Sequence, residues 1–401
     1  MSNIVEDGKK YSMNTYNRGT MVIEEAKGCY LKDAEGKQYL DMIAGISVCN
    51  LGHSHPVVVE AIQQQAERLI HVSNLYWIPQ QIELAKLLVE NSFADKAFFC
   101  NSGGEANEAA IKLARKYSYK KYGEGRNEII AMTSSFHGRT LATLSVTSNK
   151  KYQEGFGPMP GGFKFANFND IDSVKAEITE KTCAIIVEPV QGEGGVNVAN
   201  EEFLKQLKDI CVEKDILLIF DEIQCGMART GKLFAYKHFG VEPDIMSLAK
   251  ALGNGFPIGA VLAIEKVAAA FNPGDHGTTF GGNPLACSAA LATLEYMLKE
   301  KIWEAVEHKG NYFKEQLQKL VGKYSWVKQT KGKGLMLGLE LEIEGAPFVK
   351  KMAEEGILIN CTAGKVLRFL PPLVVEEKNI QKTTEALDKI FKETDGKGRW
   401  T

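Results

Sequence analysis

An acidic residue and a lysine, both in apolar surroundings, are the pair in this sequence best suited to chemistry. The apolar run 217–220 ends in Asp221, and Lys250 follows the short run 247–249. A continuous apolar run is typical of a strand buried on both faces of a parallel sheet, and ligands bind at the carboxyl ends of such strands. A poorly solvated lysine loses its proton more readily and can form a Schiff base with an aldehyde.

Together the two residues indicate a pyridoxal-phosphate site, with Lys250 linked to the aldehyde and Asp221 facing the pyridine nitrogen. The chemistry needs both groups, because the carboxylate keeps the ring nitrogen protonated and the protonated ring accepts electrons from a carbanion. An alternative is a phosphate loop of the ATPase type, since 226–233 nearly matches that motif. Two features oppose it: Leu233 occupies the position of the metal-binding hydroxyl, and the segment follows the aspartate strand.

Composition and charge limit the classes of partner. The chain of 401 residues is 44% hydrophobic and 24% charged, which predicts a soluble globular protein with about two or three structural domains. A net charge of −2 gives no electrostatic reason to expect nucleic acid or an anionic membrane as a partner. No secretory signal is visible and no apolar run reaches the ~20 residues that span a bilayer, so we expect a cytoplasmic protein.

The cysteines and histidines do not indicate a metal site. The 8 cysteines are scattered along the chain and form no Cys-x-x-Cys pair. Buried, reduced thiols are therefore a better interpretation than a disulfide framework or a zinc site. We expect no metal ion.

The elements that must position the two residues alternate between strands and helices. Apolar runs predict strands over 96–100, 128–132 and 183–187, and helical spacing predicts helices over 106–122 and 203–214. This alternation is typical of an α/β fold with a largely parallel sheet covered by helices on both faces. In such a sheet the strand ends line one crevice, so residues that are distant in sequence converge there.

Loops with functional potential follow several of these strands. Loop 101–105 combines small residues and a hydroxyl with the start of a helix, where an anion binds favourably. Phe136 either stacks on a flat ring or packs in the core. Arg139 either holds a substrate carboxylate in a two-pronged way or forms a surface ion pair.

The composition changes towards the C-terminus, where short alternating strands at 335–341 and 366–372 follow predicted helices. We therefore expect three parts. They are an N-terminal segment (1–55) that packs with the small domain, a large cofactor-binding domain (56–290) and a small α+β domain (291–401).

Six motifs in this order resemble those of the class III (ω-amino) aminotransferases of pyridoxal-phosphate fold type I, and within that family most closely the acetylornithine group. The motifs lie at 101–108, 135–140, 188–193, 220–224, 248–250 and 278–283. The resemblance implies a large domain with a mostly parallel central sheet covered by helices, a smaller α+β domain, and pyridoxal 5′-phosphate as the cofactor.

The resemblance also implies residue roles. Lys250 holds the cofactor and shuttles a proton, and Asp221 pairs with the pyridinium. Thr279 reaches the phosphate of the neighbouring subunit, which implies a homodimer with its active sites at the interface. The implied cofactor-binding residues are Ser102, Gly103, Gly104, Phe136, Asp221, Ile223, Gln224, Lys250 and Thr279.

For the substrates, the resemblance implies that Arg368 binds the α-carboxylate of glutamate or 2-oxoglutarate and that Arg139 binds the other carboxylate. Glu193 neutralises Arg368 when the donor has no carboxylate near its reacting amine. Tyr16 is a further implied substrate-binding residue, and Gly19-Thr20 departs from the pattern of the acetylornithine group.

The implied reaction moves the δ-amino group of N2-acetylornithine to 2-oxoglutarate and gives N-acetylglutamate 5-semialdehyde and glutamate, as in arginine biosynthesis. The alternative donors are succinylornithine, ornithine, 4-aminobutyrate and acetyl-lysine-type amines. A more distant alternative is a regulatory protein that binds pyridoxal phosphate without catalysis.

Overall fold

The computed structural model describes residues 4–394, so residues 1–3 of the expected N-terminal segment and 395–401 of the expected small domain lie outside the described part. Its helices are α1 (Ile4–Tyr11), α2 (Ala44–Ser47), α3 (Pro56–Arg68), α4 (Pro79–Glu90), α5 (Gly103–Tyr122), α6 (Leu141–Ser145), α7 (Ile171–Glu177), α8 (Glu201–Lys214), α9 (Glu265–Ala268), α10 (Pro284–Lys299), α11 (Ile302–Lys323), α12 (Ala346–Glu354) and α13 (Glu377–Lys392).

The strands are β1 (Ile23–Lys27), β2 (Tyr30–Asp33), β3 (Gln38–Asp41), β4 (Lys96–Cys100), β5 (Glu128–Met132), β6 (Phe163–Ala166), β7 (Thr182–Val187), β8 (Val190–Gln191), β9 (Asn197–Val198), β10 (Leu217–Asp221), β11 (Ile245–Leu248), β12 (Gly259–Ala263), β13 (Val327–Lys333), β14 (Met336–Leu341), β15 (Ile357–Leu358), β16 (Asn360–Thr362) and β17 (Val366–Phe369).

A seven-stranded sheet in the order β4-β12-β11-β10-β7-β5-β6 forms the centre of the molecule. Strands β11, β10, β7, β5 and β6 pair in parallel, whereas β12 is antiparallel to both of its neighbours. The largely parallel sheet expected from the sequence is therefore confirmed. Every residue of β7, β10, β11 and β12 is buried, because helices such as α5 and α8 cover the sheet.

Helix α5 begins at Gly103, three residues before the start expected from the apolar spacing. Ser102 is its N-cap, and the Ser102 side chain accepts a hydrogen bond from the backbone N–H of Glu105 at 3.2 Å. Such a cap satisfies one of the free N–H groups of the first turn and stabilises a helix by about 1 kcal/mol. The glycines that the sequence placed in the loop therefore form the first turn of the helix.

A second sheet joins the two ends of the chain in the order β1-β2-β3-β15. Strands β2 and β3 form a hairpin, and β15 adds in parallel to β3, with Leu40 opposite Ile357. The third sheet, β13-β14-β17-β16, is antiparallel and packs against α11. The strand β17 carries Arg368.

These contacts support the proposed division into an N-terminal segment, a large domain and a small domain. The second boundary, residue 291, lies inside α10, which packs against α3 and α4 of the large domain. We therefore propose the end of this helix, Lys299, as the start of the small domain.

None of the helices between residues 4 and 394 combines the length and the apolar composition needed to cross a bilayer. Within the same residues, no group of three or more histidine, cysteine, aspartate or glutamate side chains is arranged to hold a metal ion.

Candidate active site

A cavity of about 610 Å³ opens at the carboxyl ends of β4, β5, β7, β10 and β11. It lies where the sequence analysis placed the crevice, since the loops after these strands form its walls. The predicted residues that line it are Ser102, Gly103, Gly104, Phe136, Arg139, Asp221, Ile223, Gln224 and Lys250.

The remaining predicted site residues lie outside the cavity wall. Glu193 and Arg368 do not line the cavity, but each forms a hydrogen bond with the side chain of Gln224, which does. Thr279 is exposed in the loop that precedes α10, and it does not line the cavity. Tyr16 is also exposed, in an N-terminal stretch whose own residues, between Ile4 and Val22, line a separate groove.

The first turn of α5 forms one end of the cavity. Ser102, Gly103 and Gly104 expose backbone N–H groups there, at the positive end of a helix of 20 residues. A Cβ atom added at Gly103 would lie 3.0 Å from two carbon atoms of Ile223, so glycine allows the helix end and the Ile223 side chain to approach closely. This arrangement suits a phosphate group.

Asp221 lies deep in the cavity at the end of β10 and is held by three groups. Its Oδ2 atom accepts a hydrogen bond from Asn107 Nδ2 at 2.7 Å and lies 2.8 Å from His137 Nδ1. Its Oδ1 atom accepts from the backbone N–H of Ile223 at 3.0 Å. These three contacts fix the position of the carboxylate at the floor of the cavity.

His137 and Glu188 extend this buried charge network. Burial alone would lower the pKa of His137, but the contact with Asp221 outweighs burial and raises it. Burial, together with the nearby Asp221 charge, raises the pKa of Glu188, whose Oε2 atom accepts from the backbone N–H of Phe136 at 3.1 Å. The His137 Nε2 atom is buried without a hydrogen-bond partner. The wall of the cavity therefore places the imidazole of His137 against the carboxylate of Asp221.

Lys250 follows β11 and faces the same cavity. Its backbone adopts a left-handed conformation with φ of 47°, which is strained for a residue other than glycine. Burial lowers the pKa of its ammonium, opposed by the charge of Glu193. Asp221 is paired with Ser247 across β10 and β11, so the carboxylate and the lysine, which follows β11 by two residues, lie at the same end of neighbouring strands.

Arg368 is buried and forms a charged cluster with Glu193 and Gln224. Its Nη1 atom lies 2.5 Å from Glu193 Oε1 and donates to Gln224 Oε1 at 3.2 Å, and its Nε atom donates to Asn360 Oδ1 at 3.1 Å. Burial would raise the pKa of Glu193, but the Arg368 guanidinium outweighs burial and holds it below its ordinary value. A Cβ atom at Gly192 would collide with Gln224 Oε1, so this glycine is required for the cluster.

Arg139 lies at the exposed mouth of the cavity. Its guanidinium stacks 3.8 Å from the ring centroid of Tyr152 and 5.5 Å from that of Phe136. It has no carboxylate partner within salt-bridge distance among residues 4–394. Its side chain lines the cavity, so binding of a substrate carboxylate by Arg139 stays a prediction.

The sequence reasoning missed three residues that the structure brings to Asp221 and its surroundings: His137, Asn107 and Glu188. Asn107 is fully buried, donates to Asp221 and accepts from Ser247 Oγ at 2.7 Å. A polar residue beside the apolar positions of α5 was the signal that could have indicated it. His137 lay inside a recognised motif, but the sequence carries no signal for the direction of its ring.

Most of the chain matches one family of proteins. The profile of the family described as aminotransferase class-III matches residues 11–391. The chain belongs to the class III aminotransferases.

Relatives of this class III aminotransferase share most of its length. The acetylornithine aminotransferase of Methanocaldococcus jannaschii is 57% identical over 391 residues, covering 98% of both chains. That of Aquifex aeolicus is 52% identical over 382 residues, covering 95% of this chain and 100% of the relative.

Solved structures of the family share its fold. The ornithine aminotransferase from Toxoplasma gondii ME49 matches with a TM-score of 0.93 at 36% identity, covering 96% of this chain and 93% of that one. The acetylornithine aminotransferase from Elizabethkingia anophelis matches with a TM-score of 0.85 at 35% identity, covering 96% and 97% respectively. The α/β fold of type I expected from the sequence is confirmed.

The cofactor of the class III aminotransferases is pyridoxal 5′-phosphate, and the residues of this chain fit it. The N–H groups at the start of α5 suit its phosphate, and the carboxylate of Asp221 suits a protonated ring nitrogen. Phe136 and Ile223, which both line the cavity, offer apolar surface to a flat ring. Lys250 supplies the amine of lowered pKa that the aldehyde requires.

Proposed function

We propose that this aminotransferase transfers the δ-amino group of N2-acetylornithine to 2-oxoglutarate. The products are N-acetylglutamate 5-semialdehyde and glutamate, and the reaction belongs to arginine biosynthesis. The observation that carries the proposal is the identity of 57% and 52%, over nearly the full length, to relatives named acetylornithine aminotransferase. A cytoplasmic location fits such a biosynthetic enzyme.

The proposed catalytic residues are Lys250 and Asp221. Bound pyridoxal phosphate supplies an electron sink for the carbon that carries the amine. Lys250 Nζ, whose pKa is lowered by burial, removes the proton from that carbon and delivers it to the cofactor carbon that carried the aldehyde. Asp221, held by Asn107, His137 and the N–H of Ile223, keeps the ring nitrogen protonated.

The remaining cofactor contacts follow from the cavity wall. We propose that Ser102, Gly103 and Gly104 bind the phosphate and that Gln224 bonds the phenolic oxygen. Phe136 and Ile223 pack against the two faces of the ring.

Arg368 and Glu193 are proposed to let one site accept two kinds of substrate. Acetylornithine carries no carboxylate near its δ-amine, so Glu193 stays paired with Arg368 while the donor reacts. Glutamate and 2-oxoglutarate offer a carboxylate in its place, and Glu193, whose side chain is 32% exposed, moves aside. The exchange avoids leaving a buried guanidinium unpaired in either half of the cycle, which is costly.

Arg139 is proposed to bind the second carboxylate of the dicarboxylate substrates. Its position over the rings of Phe136 and Tyr152 supports this role, because it lies at the mouth of the cavity. For Tyr16 we propose a contact with the donor, made when its N-terminal stretch closes over a site completed by a second subunit.

We also propose that the active unit is a homodimer. Trp77 is 89% exposed, and further exposed apolar side chains lie in the same stretch of the chain, from Leu69 to Ile82. Asn74 in this stretch bonds the carbonyl oxygens of Thr278 and Gly281, so the stretch and the Thr279 loop form one surface. A large exposed apolar surface of this kind is typical of a protein interface. We expect a second copy that covers this surface to bring Thr279 to the partner's phosphate site.

Steady-state kinetics with a panel of amine donors tests the function. We expect kcat/KM to be highest for N2-acetylornithine with 2-oxoglutarate as acceptor. A higher kcat/KM for ornithine would overturn the choice of donor. Conversion of the cofactor's absorbance on mixing with glutamate separates an enzyme from a regulatory binding protein, which would bind without conversion. Analytical ultracentrifugation of the protein and of Trp77→Asp tests the dimer, which this substitution should weaken.

A further inference from the structure

Arg229 is a fully buried arginine outside the proposed catalytic machinery. It lies after β10, in the irregular segment that follows Asp221, with a relative exposure of 0%. The acceptors of its side-chain hydrogen bonds are a hydroxyl, an amide and two backbone carbonyls, so none of them carries a charge. Burial lowers the pKa of Arg229 to about 9.

The guanidinium joins parts of the chain that are far apart in sequence. Its Nε atom donates to Ser47 Oγ at 2.9 Å, and its Nη2 atom donates to Asn50 Oδ1. Its Nη1 atom donates to the carbonyl oxygens of Leu335 at 3.0 Å and Pro371 at 2.6 Å. The N-terminal segment, the large domain and the small domain therefore meet at one side chain.

Two of these bonds lead directly to the substrate-binding cluster. Ser47 Oγ, which accepts from Arg229, donates to the carbonyl oxygen of Gln224 at 3.0 Å. Pro371 lies two residues after the end of β17, the strand that carries Arg368. Arg368 in turn donates to Gln224 Oε1 at 3.2 Å, so both routes from Arg229 end at the contact between Arg368 and Gln224.

The bond from Arg229 to Leu335 fixes the start of β14, the strand next to β17. Leu335 directly precedes β14, which is paired with β17 so that Gly338 lies opposite Arg368. Since Arg229 bonds the end of one strand and the start of the other, it holds this corner of the small-domain sheet against the loop after β10.

We propose that Arg229 is a positioning residue that sets the place of Arg368 relative to Gln224, and so the geometry with which the enzyme binds a dicarboxylate. The inference rests on the proposed role of Arg368 in binding that carboxylate. A buried charge with uncharged acceptors stabilises a fold less well than apolar packing, so its geometric function explains its presence better than stability does. Its planar fork donates four hydrogen bonds, whereas the ammonium of a lysine has three donors on a single atom.

The test compares the two half-reactions in Arg229→Lys. Because Arg368 binds substrate only in the dicarboxylate half, we expect the KM for 2-oxoglutarate to rise by about tenfold, as misplacement of a binding group does. The rate with acetylornithine in single turnover should fall by less than about threefold. Arg126→Lys is the matched control, since Arg126 also bonds backbone carbonyls, those of Thr182, Lys214 and Asp215. It should change thermal stability but not this KM.

A smaller substitution guards against misfolding. Ser47→Ala removes the hydroxyl that links Arg229 to Gln224 and leaves the guanidinium in place. We expect it to raise the same KM by about threefold, in line with the loss of one hydrogen bond. If Arg229→Lys does not retain the cofactor, the Ser47→Ala result decides the question, and an unchanged KM overturns the inference.

A double-mutant cycle with Arg368→Lys identifies the path of the effect. If Arg229 acts through Arg368, Arg229→Lys should raise the KM for 2-oxoglutarate no further once Arg368 is replaced. Additive effects of the two substitutions would overturn the inference. If Arg368→Lys alone leaves this KM unchanged, the proposed role of Arg368 fails. If Arg368→Lys raises the KM and neither Arg229→Lys nor Ser47→Ala does, only the positioning role fails.

Discussion

Replacing Glu193 with glutamine should change the preference of the enzyme between its two substrates. The substitution keeps the size of the side chain and removes the charge that pairs with Arg368 at 2.5 Å. In the variant, the guanidinium is left without a carboxylate while acetylornithine reacts. Glutamate supplies its own carboxylate to Arg368 and no longer has to displace Glu193.

The size of the effect follows from the burial of the pair. Removing one member of a fully buried ion pair costs about 3–5 kcal/mol. The Arg368 side chain is 2% exposed but that of Glu193 is 32% exposed. Water therefore replaces part of the lost interaction, and we expect a cost of about 2 kcal/mol. This corresponds to a change of about 30-fold in the ratio of kcat/KM for glutamate to kcat/KM for acetylornithine.

The assay follows each half-reaction separately by the absorbance of the cofactor in stopped flow. Glu340→Gln is the control, because Glu340 pairs with Lys328 at 3.3 Å and Lys331 at 3.7 Å, away from the cavity. It should leave the ratio unchanged. A Glu193→Gln enzyme whose ratio stays within about twofold of the parent would refute the reasoning, since the buried charge would then have no effect on substrate choice.

Three further predictions concern the cofactor site and a partly buried histidine, His53. Lys250→Ala should abolish turnover while retaining noncovalent cofactor binding, and residual activity within about tenfold of the parent would contradict the catalytic role of Lys250. In the parent enzyme, borohydride reduction and mass spectrometry should locate the cofactor on Lys250. Asp221→Ala should lower kcat by more than about 100-fold and His137→Asn, which removes one bond to Asp221, by about tenfold, as measured by steady-state kinetics. Burial lowers the pKa of His53, but its 2.6 Å contact with Asp41 and a bond to Cys49 raise it to about 9. The contact should therefore stabilise the folded protein by about 2 kcal/mol below pH ~6.5, and this effect should be lost as the pH rises through about 9. The difference in unfolding free energy between the parent and His53→Asn should accordingly shrink from pH ~6 to pH ~10.

Most of the central sheet could be predicted because its strands are short apolar runs that end at polar loops. Strands β4 and β5 lie at the residues expected, and β10 ends at Asp221 as expected. The direction of β12 could not be predicted, because a strand buried on both faces has the same continuous apolar sequence whether it runs parallel or antiparallel to its neighbours. Strand β6 was missed because its sequence, Phe-Lys-Phe-Ala, is short and only partly buried.

The cavity residues that follow strands could be predicted for the same reason: strand order brings their loops together. Asn107 and His137 could not, because their contacts with Asp221 depend on the rotation of α5 and on a loop conformation. Arg229 is a further example. It looked like part of a failed phosphate-loop motif, and only the packing of Ser47 and Pro371 against it reveals its contacts.

The parallel pairing of β3 with β15 affects how the protein is made. Leu40 leaves the ribosome early, but its partner Ile357 emerges only near the end of synthesis. Until then the edge of β3 lacks its final neighbour, although the nascent large domain is already complete. A free strand edge readily pairs with other chains. The nascent protein should therefore depend on molecular chaperones to protect this edge until translation ends.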